Sequence, residues 1–258
     1  MWSWRESRRT RLRRRPFPPA WLPLVEKNLP LYRRLPPADQ AELLGHVQVF
    51  LAEKYFEGAG GLEISDVIRV TIAAHACLLV LHRPPDYYQQ LVSIIVYPRA
   101  YVADREVRDD FGIVTENEEV RLGESWREGA LVLSWDDVEA AASGSDECHN
   151  VVLHEFAHQL DLEDGTIEGS PALGEAGRYR SWAETMEEEF NHLQDAASRG
   201  RETFLDEYGA THPAEFFAVV TEYFFTCSAS LRGKHPRLYQ QLVSYYRQDP
   251  ASLPQASS

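Results

Sequence analysis

The sequence predicts an α+β protein that is mostly helical, with a small β-sheet placed before a helix that carries two histidines. Apolar residues recur at helical spacing in the first and last thirds of the chain. Short β-branched segments occupy the middle third. This order of helices, a small β region and further helices is typical of α+β proteins and differs from regular βαβ winding.

The N-terminal helices are predicted from apolar spacing and from their boundaries. Pro37 suits a helix start, and apolar residues follow at helical spacing to about Tyr55. The glycine-rich residues 58–61 interrupt this pattern. A second, more apolar helix is expected over residues 65–82, and Pro84-Pro85 ends it.

The middle of the chain changes to strand periodicity and then returns to helix. Residues 92–97 are β-branched and end at a proline, which predicts a strand. Residues 112–115 and 130–135 are further strand candidates, with a polar turn at 116–119. From Asp136 the chain is expected to be mainly helical, with helices near residues 148–162, 180–198, 213–226 and 235–247.

Composition excludes several classes of protein. The chain has 258 residues, of which 44% are apolar and 26% charged, as in ordinary soluble globular proteins. Its longest apolar stretches are far shorter than the ~20 residues of a membrane helix, so no membrane span is expected. The three cysteines are far apart in sequence and odd in number. A disulfide framework is therefore not expected, and a reducing, cytoplasmic location is predicted.

Charge divides the chain into a basic arm and an acidic body. Residues 1–15 carry seven Arg and one Glu, whereas the remaining 243 residues carry 19 basic and 39 acidic side chains, a net charge of −20. Such a body repels nucleic acid, so direct nucleic-acid binding by the body is not expected. For the basic residues a solvated, disordered segment is the first interpretation; contact with an anionic surface or nucleic acid, or a transit peptide, are the alternatives.

These observations predict one folded domain with two flanking segments. Residues 1–37 form a basic, proline-rich arm that is partly disordered and drapes over the body. Residues 38–250 form the domain, with an N-terminal α+β part over about 38–147 and a helical part over about 148–250. Residues 251–258 form a disordered tail.

One segment carries a motif for metal chemistry. His154 and His158 lie four residues apart, so on a helix their imidazoles project from one face and can share one zinc ion. Glu155 lies beside such an ion and can take a proton from an activated water and pass it to a leaving amine. This is the His-Glu-x-x-His pattern of metallopeptidases. The alternative is a pair of core histidines bonded to backbone or carboxylates.

A third ligand is expected in the apolar helix that starts at Pro213. Glu215 and Glu222 lie on one stripe of this helix, and a buried carboxylate needs a cation such as zinc. A salt bridge or an interaction with the helix start is the alternative for either glutamate. His212 is a weaker candidate because it lies at the helix margin. Asp161 faces the ligand side and can orient an imidazole, although a structural role at the helix end fits equally well.

Several segments together resemble the Mlc titration factor A family. They are residues 94–98, 123–126, 129–135, 154–161, 206–210 and 213–225. The resemblance covers about residues 38–250 and finds no counterpart for the basic arm. It implies a zincin-like fold and a gluzincin-type zinc peptidase, with an active-site region similar to the catalytic domain of anthrax lethal factor.

The resemblance also assigns roles to residues. It implies that His154, His158 and Glu215 bind one zinc ion, that Glu155 is the general base, and that Tyr208 matches a tyrosine seven residues before the glutamate ligand. Tyr208 is predicted to stabilise the oxyanion, and a packing tyrosine with its hydroxyl on a backbone carbonyl is the alternative. Glu222 is then left to support a ligand or to pair elsewhere in the core. In zincins an edge strand commonly holds the substrate backbone, and residues 130–135 are a candidate, although they fit a buried strand equally well.

The family implies an aminopeptidase-like activity on peptide or protein substrates. Its namesake binds a sugar-responsive transcriptional repressor called Mlc. A rival hypothesis is therefore a regulatory protein that sequesters such a repressor, with weak or partner-switched peptidase activity. Glu155→Gln separates the two, because it abolishes peptidase activity and leaves binding intact. A purely structural zinc site is disfavoured, since two His and one Glu leave a coordination position open.

Overall fold

A computed structural model describes residues 4–83, 86–99, 129–144, 148–165, 167–173 and 176–254. Its α-helices are α1 (Trp4–Arg13), α2 (Leu22–Asn28), α3 (Pro37–Glu53), α4 (Asp66–Leu79), α5 (Trp135–Ser143), α6 (Val151–Asp161), α7 (Ala176–Ser198), α8 (Pro213–Thr226), α9 (Ser228–Lys234) and α10 (Pro236–Tyr246). Short 3-10 turns lie at Pro30–Arg34, Leu162–Asp164, Glu207–Ala210 and Pro250–Ser252.

The strands form a small parallel sheet in the order β1 (Tyr55–Gly58), β2 (Ser93–Tyr97) and β3 (Ala130–Ser134). Ser93 pairs with Tyr55 on one side and with Ala130 on the other. Burial alternates along β2 and β3, so one face of each strand enters the core. The predicted α+β class with few strands is confirmed.

Helix α6 lies in the centre of the molecule and packs along α8, with α4 and α5 also against it. The rings of Phe50, Tyr88 and Phe156 meet edge to face between α3, α6 and the segment before β2. Asn150 caps α6 by accepting a hydrogen bond from the Leu153 N–H at 3.0 Å. The core therefore fixes α6 on several sides and leaves one face for the site.

Element boundaries agree closely with the sequence pattern in the described residues. The helices predicted near 37–55, 65–82, 148–162, 180–198, 213–226 and 235–247 are all present, each within a few residues. Strand β1 was not predicted, because its four residues end in the glycine-rich break and pair only through the backbone. The expected strand 112–115, the turn 116–119 and Pro84-Pro85 lie outside the described residues.

The basic N-terminal segment differs from the expected disordered arm. Residues 4–13 form α1, which packs on α3. The guanidinium of Arg9, 5% exposed, donates to the carboxylate of Glu53 at 2.8 Å and to the Asp86 carbonyl at 3.1 Å. A buried arginine that meets a carboxylate on the body orders this segment, which charge counting alone does not reveal.

The cysteine prediction was wrong. Cys148, shortly before α6, and Cys227, directly after α8, form a disulfide across 79 residues of sequence, while Cys77 is free and buried. Distance along the chain misled the prediction, because α6 and α8 pack side by side and bring the two residues together. The cysteine count is therefore no argument for a reducing compartment.

Among the described residues, no helix combines the length and the apolar character that crossing a bilayer requires.

Candidate active site

Three side-chain atoms meet between α6 and α8. Nε2 of His154 lies 3.2 Å from Nε2 of His158. Oε2 of Glu215 lies 3.0 Å from Nε2 of His154 and 3.3 Å from Nε2 of His158. The atoms thus form a nearly equilateral triangle. The structure brings together the three residues that the sequence analysis singled out as metal ligands.

Local sequence explains how these side chains converge. His154 and His158 are one turn apart on α6, so their rings share a face. Pro213 occupies the first turn of α8, and the His212 side chain caps it by accepting from the Ala214 N–H at 3.2 Å. Glu215 follows in the first turn and meets the histidine face where α8 crosses α6.

His154 is held by a second carboxylate. Its Nδ1 donates a hydrogen bond to Oε1 of Glu222 at 2.7 Å, while Oε2 of Glu222 accepts from the backbone N–H of Asn150 at 2.5 Å. Glu222 is 4% exposed, so both bonds lie in the core. Sequence analysis left Glu222 either to support a ligand or to pair elsewhere, and the observed contact with His154 matches the supporting role.

The donor set fits a metal ion. Because Nδ1 of His154 donates to Glu222, Nε2 is the ring atom left to face the Glu215 carboxylate, 3.0 Å away. A bare Nε2 lone pair and a carboxylate oxygen are both acceptors, so this approach requires either a proton on Nε2 or a metal ion between the two atoms. Ligands at about 2.0–2.1 Å from one zinc ion in tetrahedral geometry lie about 3.3 Å apart, close to the spacing of this triangle.

The pKa values of His154 and Glu215 also indicate a centre that favours a cation. Burial opposes protonation of His154, but hydrogen bonds to Glu215 and Glu222 raise its pKa to about 10. Burial raises the pKa of Glu215, yet hydrogen bonds from His154 and His158 outweigh it and hold that pKa far below its ordinary value. The centre thus favours positive charge, which a proton or a metal ion supplies in competition.

Glu155 and Tyr208 lie beside the triangle. The negative charge of Glu155 is among those that raise the pKa of His154. The ring of Tyr208 lies 6.0 Å from the His154 ring and is 48% exposed. Tyr208 sits on the 3-10 turn that precedes α8, where its backbone N–H donates to Oδ1 of Asp206 at 2.7 Å. Both residues proposed for catalysis are therefore close to the candidate metal ligands.

Asp161 makes a contact that the sequence did not suggest. Its Oδ2 accepts a hydrogen bond from the backbone N–H of Gly169 at 2.7 Å. Gly169 in turn packs against the Pro213 carbonyl at the start of α8. This contact suits the structural alternative given for Asp161 in the sequence analysis. The orienting role toward an imidazole stays a prediction.

A cavity of about 450 Å³ opens beside His154 and Tyr208. Its walls come from α5, the start of α6, the turn before α8 and α8 itself. Sequence reasoning missed two residues that shape this region, Asn150 and Asp206. Their signals were present, since Asn150 directly precedes an apolar helical run and Asp206 lies two residues before Tyr208.

Nearly the whole chain matches a known protein family. The sequence profile of the glucose-regulated metallo-peptidase M90 family matches residues 2–247. The chain belongs to this family. As a member of the M90 family it is a metallopeptidase, a hydrolase that works with a metal ion. The match begins at residue 2, so the basic N-terminal segment lies inside the family region, and the expectation that it has no counterpart there was wrong.

Individual relatives of this M90 protein align over most of its length. It is 39% identical over 248 residues to the protein slr2042 of Synechocystis sp., covering 96% of this chain and 90% of that protein. It is 32% identical to Mlc titration factor A of Klebsiella pneumoniae and 31% identical to that of Salmonella gallinarum. Each of these two alignments covers 86% of this chain and 84% of the relative.

Proposed function

We propose that the protein is a zinc-dependent peptidase with aminopeptidase-like activity. The observation that carries this proposal is the triangle of Nε2 of His154, Nε2 of His158 and Oε2 of Glu215, with sides of 3.0–3.3 Å. In the proposal these three atoms hold one zinc ion. The fourth position is left to water or substrate, as in catalytic zinc sites.

When bound, zinc supplies Lewis-acid polarisation of the scissile carbonyl and lowers the pKa of a water molecule. Glu155 accepts the proton of the attacking water and returns it to the amine that leaves. Tyr208 donates its phenolic hydrogen bond to the oxygen on which negative charge develops. Glu222 fixes the His154 ring, so that Nε2 and not Nδ1 faces the ligand centre.

The test combines metal analysis with peptide cleavage. We expect one zinc per chain, loss of zinc in the double variant His154→Ala/His158→Ala, and cleavage of unblocked peptides by the zinc-loaded protein. Glu155→Gln should keep zinc and lose cleavage by orders of magnitude, while Glu187→Gln, on the exposed face of α7, should match the parent. Full zinc stoichiometry in the double His variant contradicts the proposal.

The names of the relatives favour a second candidate function. Mlc titration factor A is, by its name, a protein that titrates Mlc, and two such proteins are 31–32% identical to this chain. In this alternative the protein sequesters a repressor of the Mlc type. Glu155→Gln separates the candidates: a sequestering protein still retains the repressor in a pull-down, whereas a peptidase loses its activity.

A further inference from the structure

A second cavity lies against the end of α6 and the segment that precedes β2. It has a volume of about 220 Å³, and its walls are formed by Asp86, Tyr88, Gln89, Gln90, Gln159 and Glu163. We infer that Gln159 and Asp86 bind a main-chain amide of the substrate in this cavity, about two residues beyond the bond that is cleaved. The inference rests on the proposed peptidase function and deepens it, because it names oligopeptides of four or more residues as the substrate class.

Two polar atoms in the walls are buried without a hydrogen-bond partner. The Gln159 side chain is 5% exposed, and its Nε2 makes no hydrogen bond within the described part of the chain. Among the same residues, Oδ1 of Asp86 is likewise buried and unpartnered. Buried polar groups are nearly always hydrogen-bonded, because an unmade bond costs free energy. A ligand in this cavity can supply both partners.

The other four polar side chains of the walls already have partners within the protein. These partners are the main-chain carbonyls of Ala76 for Tyr88 and of Leu162 for Gln90, and the guanidinium groups of Arg5 for Gln89 and of Arg83 for Glu163. Among the described wall residues, Gln159 and Asp86 are therefore the two that can turn to a ligand.

A peptide bond offers the two groups that these side chains need. Nε2 of Gln159 is a donor and suits a carbonyl oxygen, whereas Oδ1 of Asp86 is an acceptor and suits an N–H. The cavity volume of about 220 Å³ is below the ~300 Å³ at which pockets for drug-sized ligands begin. The size thus favours a short stretch of main chain over a bulky side chain.

The cavity continues the line of α6 beyond Glu155. Gln159 follows Glu155 by one turn, so the two lie on one stripe of the helix, about 6 Å apart along its axis. An extended peptide advances about 3.3 Å per residue, so about two residues span this distance. In an aminopeptidase a single residue precedes the cleaved bond. The cavity therefore receives the third peptide bond, on the C-terminal side.

The start of β3 lies beside the same cavity. Helix α6 contacts β3, which belongs to the candidate edge strand of the sequence analysis. Gly129, directly before β3, approaches the Gln90 carbonyl so closely that a Cβ would lie 2.7 Å from this oxygen. Since Gln90 is a wall residue, the cavity adjoins both elements between which the proposed substrate extends.

Peptide binding to the zinc-loaded Glu155→Gln variant tests the inference, because cleavage is prevented. The probes are Leu-Ala-Ala-Ala-Ala and three analogues in which the second, third or fourth peptide bond is replaced by an ester. An ester lacks the N–H and has a weaker acceptor oxygen. We expect the third-bond ester to bind about 3- to 10-fold more weakly than the parent peptide in calorimetry, the loss typical of one or two hydrogen bonds.

Substitution of the two wall residues then locates this effect. In Gln159→Leu and in Asp86→Ala, each added to Glu155→Gln, the penalty of the third-bond ester should shrink, while penalties at the other two bonds stay unchanged. Gln194→Leu is the matched control, because it removes an exposed amide on α7, away from the cavity, and should leave every penalty unchanged. The Tm of Gln159→Leu should equal or exceed that of the parent, since a buried unpartnered amide is removed.

The possible failures are distinguishable. If the peptide binds but the third-bond penalty is absent, or persists in full in Gln159→Leu and Asp86→Ala, the inference is overturned and the proposed peptidase function stands. A marked fall in the Tm of Gln159→Leu also overturns it, because the amide is then bonded within the protein. If the unsubstituted, zinc-loaded protein neither binds nor cleaves the peptide, the proposed function fails, and the inference fails with it.

Discussion

Nδ1 of His154 and Oε1 of Glu222 are joined by a 2.7 Å hydrogen bond in the core. The bond sets the rotation of the imidazole and directs Nε2 toward Glu215. Because the same carboxylate also accepts from the Asn150 N–H, one side chain of α8 fixes both the start of α6 and its first histidine. The candidate metal site thus depends on a residue that does not belong to the ligand triangle.

Removing the charge of Glu222 should weaken metal binding. In Glu222→Gln the neutral amide accepts more weakly from His154, so we expect zinc affinity to fall by about 10- to 100-fold while the fold is retained. Competition with a fluorescent chelator measures the zinc affinity of the variant and of the parent. Asp161→Asn provides the comparison: an equal loss of affinity there means that Asp161 orients an imidazole as well, and an unchanged affinity means that it only holds Gly169.

Tyr208→Phe should lower kcat with little change in KM. Loss of one oxyanion donor typically costs about 10²–10³ in kcat. The exposure of Tyr208, 48%, means that the core does not depend on its hydroxyl, so zinc content and Tm should stay normal. Steady-state kinetics on an unblocked peptide measure kcat and KM of the Tyr208→Phe variant and of the parent. A kcat within about threefold of the parent makes Tyr208 a structural residue.

Gly169→Ala should disturb the start of α8. Gly169 has φ +73°, and a Cβ there would collide with the Pro213 carbonyl. Gly165→Ala is a matched control, because its φ is +94° but a Cβ would lie in open space. We expect about 1–2 kcal/mol of destabilisation from backbone strain in the control. About 1–3 kcal/mol more is expected for Gly169→Ala from overpacking.

Denaturant unfolding measures the free energy of unfolding of both glycine variants, and metal titration measures their zinc affinity. Since Pro213 lies two residues before Glu215, only Gly169→Ala should also lower zinc affinity. Equal effects of the two variants on unfolding and on zinc would show that contact with Pro213 does not position Glu215.

Loss of the disulfide should destabilise the fold. A bond between Cys148 and Cys227 closes a loop with a sequence separation of 79, for which loop-closure entropy predicts about 4.5 kcal/mol. We expect Cys148→Ser, Cys227→Ser and the double variant to lose similar amounts in equilibrium unfolding. Because one bond is lost in all three, the single effects should not add; additive losses indicate two separate thiols.

The docking of α1 should depend on pH. Burial raises the pKa of Glu53, but the hydrogen bond and charge of Arg9 outweigh it and lower that pKa below its ordinary value. A lowered folded-state pKa contributes stability that is present above the unfolded value of about 4.3 and is lost as pH falls through the folded value.

Glu53→Gln should therefore cost about 3 kcal/mol near neutral pH, since it leaves the charge of Arg9 buried, and progressively less below about pH 4.5. Thermal unfolding between pH 3 and pH 7 measures this. Glu26→Gln, which removes an exposed partner of Arg33 at 3.7 Å, should cost under about 1 kcal/mol at every pH. A pH-independent loss in Glu53→Gln excludes the ion pair as its cause.

The sequence revealed features whose causes are local. Pro37 and Pro213 begin helices because proline suits the first turn. The four-residue spacing of His154 and His158 fixes one shared helix face. Both Glu215 and Glu222 lie on one stripe, and the family resemblance favoured Glu215 as the ligand. The crossing of α8 over α6 decides that Glu215 faces Nε2 of both histidines, while Glu222 reaches only Nδ1 of His154.

Features that depend on long-range packing could not be predicted. Strand β1 exists because its backbone pairs with β2, and the side chains of Tyr55–Gly58 carry little sign of it. The order of α1 depends on the meeting of Arg9 with Glu53, 44 residues away. Pairing of Cys148 with Cys227 likewise requires the packing of α6 on α8.

The position of the disulfide, between the two helices that supply the candidate ligands, matters for how the protein is handled. Dithiothreitol, a routine additive during purification, has two reactions that matter here: it reduces disulfides such as Cys148–Cys227, and its thiolates bind zinc, the proposed metal. Activity lost in such a buffer therefore has two explanations. A phosphine reductant without thiol groups opens the disulfide alone, and a chelator removes the metal alone, so parallel samples in the two reagents tell the effects apart.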